Sequence, residues 1–297
     1  MKQKQLNAKG ITTVNELRDY LKESFKDLRY DSELRSYMYN DKKLMSTSKY
    51  MYKHTPEFDA YVASHAKAKS VSAGPGDKRT SEYYRKRWEL LADEGKSLGS
   101  RVHLYAECYP YFDDASCDKE QGVREFFLWL DEMGYVPVSF ELKVFDKTYY
   151  KMGIVDLICL NKDTQELVMF DFKTNNSDLF KYNSKLLSPF NKYKDSKYSQ
   201  YSLQQSHYKY MFESMTGLTI SNTYLVWLIN PDKDFYKRRE IVGPEHTGFL
   251  FEVYKCIDMT KEIDKDMNSS SVTSTPAKAK YQKKTVKSLN KSLIKKK

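Results

Sequence analysis

Two apolar, β-branched runs, Tyr150–Leu160 and Glu166–Thr174, flank a short polar stretch, Asn161–Gln165, and restrict the possible folds more than any other segment. Runs of this kind on either side of a polar turn read as a β-hairpin. Side chains alternate faces along a strand. Met152, Ile154, Asp156 and Ile158 therefore share one face of the first strand, and Leu167, Met169, Asp171 and Lys173 share one face of the second. Two carboxylates and an ammonium project from strands that otherwise belong in a core. Buried charges are tolerated only when paired or bound to a metal, so these three residues require a partner.

The flanking chain supplies helices. Thr13-Val14-Asn15-Glu16 has capping-box spacing and opens an amphipathic helix through Leu17, Leu21, Phe25 and Leu28. Pro56 is expected in the first turn of a helix running through Phe58, Tyr61 and Val62, which makes residues 1–80 a helical N-terminal region. A helix is expected over Ser81–Asp93, a break at Gly95 and Gly99, and a further helix from Ser100 that sets His103 and Glu107 on one face. The Val123, Phe126, Phe127, Leu130 and Met133 stripe marks another helix, stopped by Gly134. Strands are expected over Val136–Asp146, the hairpin and Ser221–Ile229, with helices over Tyr201–Met215 and Gly248–Ile263. Gln204 and Tyr208 lie on the buried stripe of the first of these helices, where a glutamine needs a polar partner. This order predicts an α/β protein with a mixed central sheet flanked by helices over 81–266.

The formal charge is +10, but residues 267–297 hold nine lysines and no acid, which leaves +1 for the other 266 residues. Beyond Asp266 the composition predicts a disordered Lys-rich tail, either a plain solvated end or a tether to nucleic acid. Thr174–Ser199 is a long polar segment in which Lys181, Lys185, Lys192, Lys194 and Lys197 alternate with Phe180, Tyr182, Phe190, Tyr193 and Tyr198. It reads as a strand-gripping surface or as a plain loop. The four cysteines form no Cys-x-x-Cys pair, so neither structural zinc nor an iron–sulfur cluster is expected. No apolar stretch reaches bilayer length and no apolar signal segment opens the chain, so a cytoplasmic protein without a membrane partner is expected.

Two acids on neighbouring strands suit a hard divalent cation such as Mg2+, with the Phe172 carbonyl as a further oxygen ligand. Such an ion would serve phosphodiester hydrolysis by polarising phosphate and activating water. Lys173 returns to the face of Asp171, where it would orient or deprotonate water or neutralise charge on the phosphate. Asp-x-Lys alone is a weak signal. Five (Asp/Glu)-x-Lys tripeptides occur, beginning at Asp41, Glu94, Glu141, Asp171 and Asp195. Only Asp171 has both an apolar strand around it and an acid on the preceding arm. Glu141 reads as a solvated strand residue or as a further acid facing the cleft.

The ordered set Gly99-Ser-Arg-Val-His103-x-x-x-Glu107, Gly153-Ile-Val-Asp156, Asp171-Phe-Lys173-Thr174 and Gln204-x-x-x-Tyr208 resembles the RecB-like branch of the PD-(D/E)XK nuclease superfamily. Phage-encoded members are also similar around Ser188-Pro-Phe and Tyr201–Tyr208. The resemblance implies a restriction-endonuclease-like fold and a Mg2+- or Mn2+-dependent deoxyribonuclease, such as an exonuclease, in phage DNA replication, recombination or processing. The metal ligands would be His103, Asp156, Asp171 and the Phe172 carbonyl. Asp156, Asp171, Lys173, Gln204 and Tyr208 would form the catalytic set, with Glu107 and Glu141 in support. DNA would be the partner, together with a helicase, recombinase or single-strand-binding protein, in the host cytoplasm. Val155 stands where the family carries a proline, and the cysteines do not match the iron–sulfur members. The alternative is a non-cleaving nucleic-acid-binding or recombination-accessory protein on the same fold.

Overall fold

The computed structural model describes residues 3–71, 79–109, 111, 114–176, 178–229 and 245–271. The chain opens with α1 (Gln3–Asn7), α2 (Val14–Ser24), strands β1 (Arg29–Asp31), β2 (Ser36–Tyr39), β3 (Lys42–Lys43) and β4 (Met45–Ser46), then α3 (Thr47–Lys53) and α4 (Ala60–Val71). Next come α5 (Ser81–Cys108), α6 (Asp118–Glu132), β5 (Tyr135–Asp146), β6 (Lys151–Asn161) and β7 (Leu167–Lys173). A small hairpin follows, β8 (Tyr182–Lys185) and β9 (Lys194–Ser196), and then α7 (Lys197–Thr216). The described chain closes with β10 (Ile220–Leu228), β11 (His246–Thr247), β12 (Phe251–Lys255) and α8 (Thr260–Ser271).

The protein is mixed α/β. Strands β11, β12, β10, β7, β6 and β4 pair in that order, and β5 pairs with β6 off this path. β10 runs parallel to β7 and β4 parallel to β6, while the remaining pairs are antiparallel. A parallel pair needs a crossover, and α7 provides it between β7 and β10. The strands are apolar enough to be covered on both faces. Leu157, Cys159, Val168, Phe170 and Phe172 pack with Val102 of α5 and Phe126 and Phe127 of α6. Ile158, Leu160, Leu167 and Met169 pack on the other face with Leu17 and Leu21 of α2 and Met211 and Phe212 of α7.

β5 pairs along the whole of β6, with a register shift between Pro137 and Ser139 that marks a bulge. On the other side of β6, Lys151 and Met152 pair with β4, whereas Leu157–Leu160 pair with β7. The ladder between β6 and β7 ends at Leu157–Phe170, one residue short of Asp156 and Asp171. The two acids therefore sit where the strands separate.

Several elements depart from the sequence-based expectation. The N-terminal region is not wholly helical: β1–β3 form a separate small sheet and β4 joins the main one. The capping box at Thr13 and Glu16 is present, but Pro56 lies between α3 and α4 rather than inside a helix. Gly95 and Gly99 do not break α5, which runs unbroken through 28 residues. Each glycine costs about 1 kcal/mol in a helix interior, and tertiary contacts on either side outweigh that: α4 packs along the first part of α5, and Val102, Tyr105 and Ala106 are buried beyond the glycines. The helix expected over Gly248–Ile263 is instead β12 followed by α8. A five-residue segment such as Phe-Glu-Val-Tyr-Lys is too short to distinguish helix from strand, and the open side of β10 captures it. The Lys-rich tail also begins later than composition suggests, because α8 extends to Ser271 and Met267 is buried against Tyr50 and Leu203. Residues 272–297 lie outside those described. Among the described residues, no helix is long and apolar enough to cross a membrane.

Candidate functional site

Three carboxylates, Glu141, Asp156 and Asp171, lie on three adjacent strands. Phe140 pairs with Leu157 and Leu142 with Val155, which places Glu141 opposite Asp156. One step beyond Leu157–Phe170, Asp156 and Asp171 face each other across the opening between β6 and β7. With no strand carbonyl left to accept it, the Phe172 N–H donates to Asp156 Oδ2 at 2.8 Å. Glu141 has φ +46°, a left-handed conformation rare outside glycine. Strained backbone of this kind clusters at functional sites.

α5 covers this opening from one side. Its His103 places Nε2 3.2 Å from the Phe172 carbonyl oxygen, and Nδ1 3.4 Å from Asp156 Oδ2 and 3.7 Å from Glu141 Oε1. Both ring nitrogens face acceptors, an arrangement that favours the protonated ring. Burial works against that charge, but Asp156 and Glu141 outweigh it and raise the pKa to about 9. Asp156 is only 9% exposed. Burial, and then the charge of Asp171, push its pKa well above the usual carboxylate range.

α7 covers the opening from the other side. The Lys173 ammonium contacts Asp171 Oδ2, donates to Gln204 Oε1 at 3.3 Å and lies 4.4 Å from the centroid of the Tyr201 ring. Burial opposes its charge, yet Asp171 and Asp156 hold its pKa above the ordinary lysine value. Gln204 Nε2 in turn donates to the Tyr208 hydroxyl at 2.8 Å. Burial, with the charges of Asp171 and Asp156, raises the Tyr208 pKa strongly. Gly153 makes room for this tyrosine, since a Cβ there would overlap the Tyr208 ring.

The residues singled out from the sequence thus form two groups. His103, Glu141 and Asp156 offer ligand atoms that all lie within 4.8 Å of one another, and the Phe172 carbonyl adjoins them. Asp171, Lys173, Gln204 and Tyr208 form a hydrogen-bonded and ion-paired row beside them. Glu141 has a more central place than its sequence context indicates. Glu107 is exposed and lines a cleft of about 450 Å3 with Gly99, Ser100, His103, Leu104 and Glu141. His103 turns toward the strands, and Glu107 forms the outer wall one helical turn further on. Tyr201 was not singled out as a site residue; its signal was the one-turn spacing to Gln204 on α7.

The aromatic–basic loop behaves differently. Phe190 and Tyr198 are core residues. Lys192 pairs with Glu262 at 2.6 Å, and Tyr193 reaches the same carboxylate. Tyr182, 41% exposed and with Lys194 over its ring, keeps a surface position.

The donor set suits a divalent cation. Carboxylate and carbonyl oxygens are the ligands that Mg2+ or Mn2+ takes, with the His103 imidazole beside them, and the crowded acids of this cluster are balanced here by the charges of His103 and Lys173. No protein-family model matches the chain, and no curated protein matches it in sequence.

Proposed function

We propose that this protein is a divalent-metal-dependent DNA nuclease on a restriction-endonuclease-like fold, of the RecB-like PD-(D/E)XK type that its motifs resemble. The observation that carries this reading is the row Glu141, Asp156 and Asp171 across three strands, joined by His103 from α5 and Lys173 beside Asp171. Glu141, Asp156, the Phe172 carbonyl and His103, its ring giving up the extra proton as the metal binds, would hold the cation, and Asp171 would join them when its pairing with Lys173 loosens. Mg2+ or Mn2+ bound there would polarise the scissile phosphate and lower the pKa of the attacking water.

The chain's own residues do the rest. Lys173 offers a positive charge to the phosphate oxygens as negative charge builds up on them. Gln204 and Tyr201 fix the direction of its ammonium, and Tyr208 fixes Gln204. In the reaction a water oxygen bonds to phosphorus and gives up a proton to solvent, one ester bond breaks, and the departing oxygen takes a proton from solvent and leaves as a hydroxyl.

The test is cleavage of labelled linear DNA with Mg2+ or Mn2+ by the wild type, Asp171→Asn and Lys173→Gln, with circular dichroism to check folding. Both folded variants should lose at least about a hundredfold in rate, the scale of removing one preorganised charge-stabilising group. Full activity in either variant excludes this site. Metal-free DNA binding by the wild type without cleavage of any DNA would instead favour the non-cleaving accessory protein.

A further inference from the structure

A second, larger cavity of about 660 Å3 adjoins the carboxylate row on the same edge of the sheet, and Glu107 lines both. Its size is in the roughly 300–1,000 Å3 range of small-molecule sites. β5 forms one wall, and Phe140 and Leu142, the neighbours of Glu141, are part of it. Five aromatic side chains line it, Tyr109, Tyr111, Phe127, Tyr135 and Phe140, among aliphatic ones such as Leu130 and Val138. The Tyr109 ring is stacked on Phe127 at 4.6 Å with 6° between planes, and Tyr111 is 89% exposed. Arg18 and Lys22 of α2 also line the cavity. The Arg18 guanidinium donates to the carbonyls of Pro137 and Val138, closing that part of the strand edge to another strand.

We infer that this aromatic cleft binds an unpaired nucleobase next to the scissile phosphate, so that the substrate of the proposed nuclease is single-stranded or frayed DNA. The inference rests on the nuclease reading above. Flat rings and apolar walls suit a π-face, and proteins that take single strands stack bases on such side chains. Bases within a duplex are already stacked and cannot enter. Glu107 and Asp131 line the same cavity. Their carboxylates repel a phosphate but accept hydrogen bonds from the exocyclic amino groups of cytosine or adenine. Lys22 supplies charge for the backbone of the same strand.

The experiment compares affinity, in EDTA, for a fluorescent oligo(dC), an abasic strand of equal length and a blunt duplex, and cleavage of the same three in Mn2+. The wild type should bind oligo(dC) about tenfold more tightly than the abasic strand. Tyr111→Ala and Tyr109→Leu should remove most of that difference. Tyr111 is so exposed that its loss leaves the core intact. Equal affinity for base-bearing and abasic strands, tighter binding of the duplex, or an unchanged difference in both variants overturns the inference. If cleavage persists in any of those cases, the base site alone is wrong. If the wild type neither binds nor cuts any of the three, the nuclease reading fails with it.

Discussion

The Asp156 carboxylate accepts the Phe172 backbone N–H where β6 and β7 stop pairing, at 2.8 Å. A side chain thereby takes the place of a strand carbonyl, and the end of a ladder becomes a pocket of oxygen atoms. Because this bond is to a neutral donor, it separates the structural role of Asp156 from the role of its charge.

Asp156→Asn keeps an acceptor for Phe172 and removes the charge. Burial and Asp171 raise the folded pKa of Asp156. An acid whose folded pKa lies above its unfolded value loses stability as pH rises through that interval. At pH 8 the metal-free variant should therefore be at least as stable as the wild type. Mn2+ at about a hundred times its dissociation constant should raise the wild-type melting temperature by roughly 5–10 °C and leave the variant nearly unchanged. A full metal-induced shift in Asp156→Asn, read by differential scanning fluorimetry, would exclude Asp156 as a ligand.

Gly153→Ala tests the packing behind the row. Its Cβ would collide with the Tyr208 ring and come close to the Thr47 hydroxyl. Overpacking of this kind destabilises by about 1–3 kcal/mol, measurable by urea unfolding. Displacing Tyr208 also disturbs Gln204 and through it Lys173, so cleavage should fall more than stability alone accounts for. Unchanged stability would mean that the strand and ring do not meet as described.

Gly95→Ala should act in the opposite direction. A Cβ at this position meets nothing within 4 Å, so only helix propensity changes, and the variant should gain about 0.5–1 kcal/mol. A loss of stability would indicate that α5 bends at Gly95 in solution.

His207 makes the stability pH-dependent. It is fully buried on α7, its ring stacks on Tyr50 at 4.4 Å and its Nδ1 lies 3.0 Å from Thr47 Oγ1. The Thr47 hydroxyl donates its proton to the Met152 carbonyl, so Nδ1 is the donor to Thr47, and the buried Nε2 has no hydrogen-bond partner among the described residues, which favours the neutral ring. Burial, and then Lys151, depress the pKa from 6.5 to about 3. The unfolded chain then binds the extra proton over that interval, and stability falls as pH drops from about 6.5 toward 3, at up to about 1.4 kcal/mol per pH unit. His207→Asn should flatten the stability–pH curve between pH 6 and 4 relative to the wild type. Parallel curves for the two proteins would show that His207 is not held neutral.

The hairpin, the helix over α7 and the strand at β10 were legible because periodicity and stop signals agree there. Asp171 and Lys173 share a face as alternation requires, and Gln204 finds the polar partners that its buried position demanded. Glu141 was underrated for a physical reason. Its place opposite Asp156 depends on the register of β5 against β6 and on a left-handed backbone, neither of which is written in the local sequence. β12 was missed because so short a segment takes its conformation from the strand that captures it. β1–β4 were missed because two- to four-residue strands carry almost no periodicity, and the continuity of α5 because the contacts that outweigh its glycines come from elsewhere in the chain.

The bulge between Pro137 and Ser139 has a bearing on how relatives of this chain should be aligned. Before it, Val136 faces Leu160; after it, Phe140 faces Leu157. Continuing the first register without the bulge would bring Phe140, an apolar ring, in front of Asp156 and move Glu141 one place along. Loss of the bulged residue itself would remove the shift as well and leave Glu141 opposite Asp156, so a gap in an aligned relative belongs at Val138. Such a gap hardly registers in an alignment score, yet placed a few residues away it sets the wrong side chain opposite Asp156.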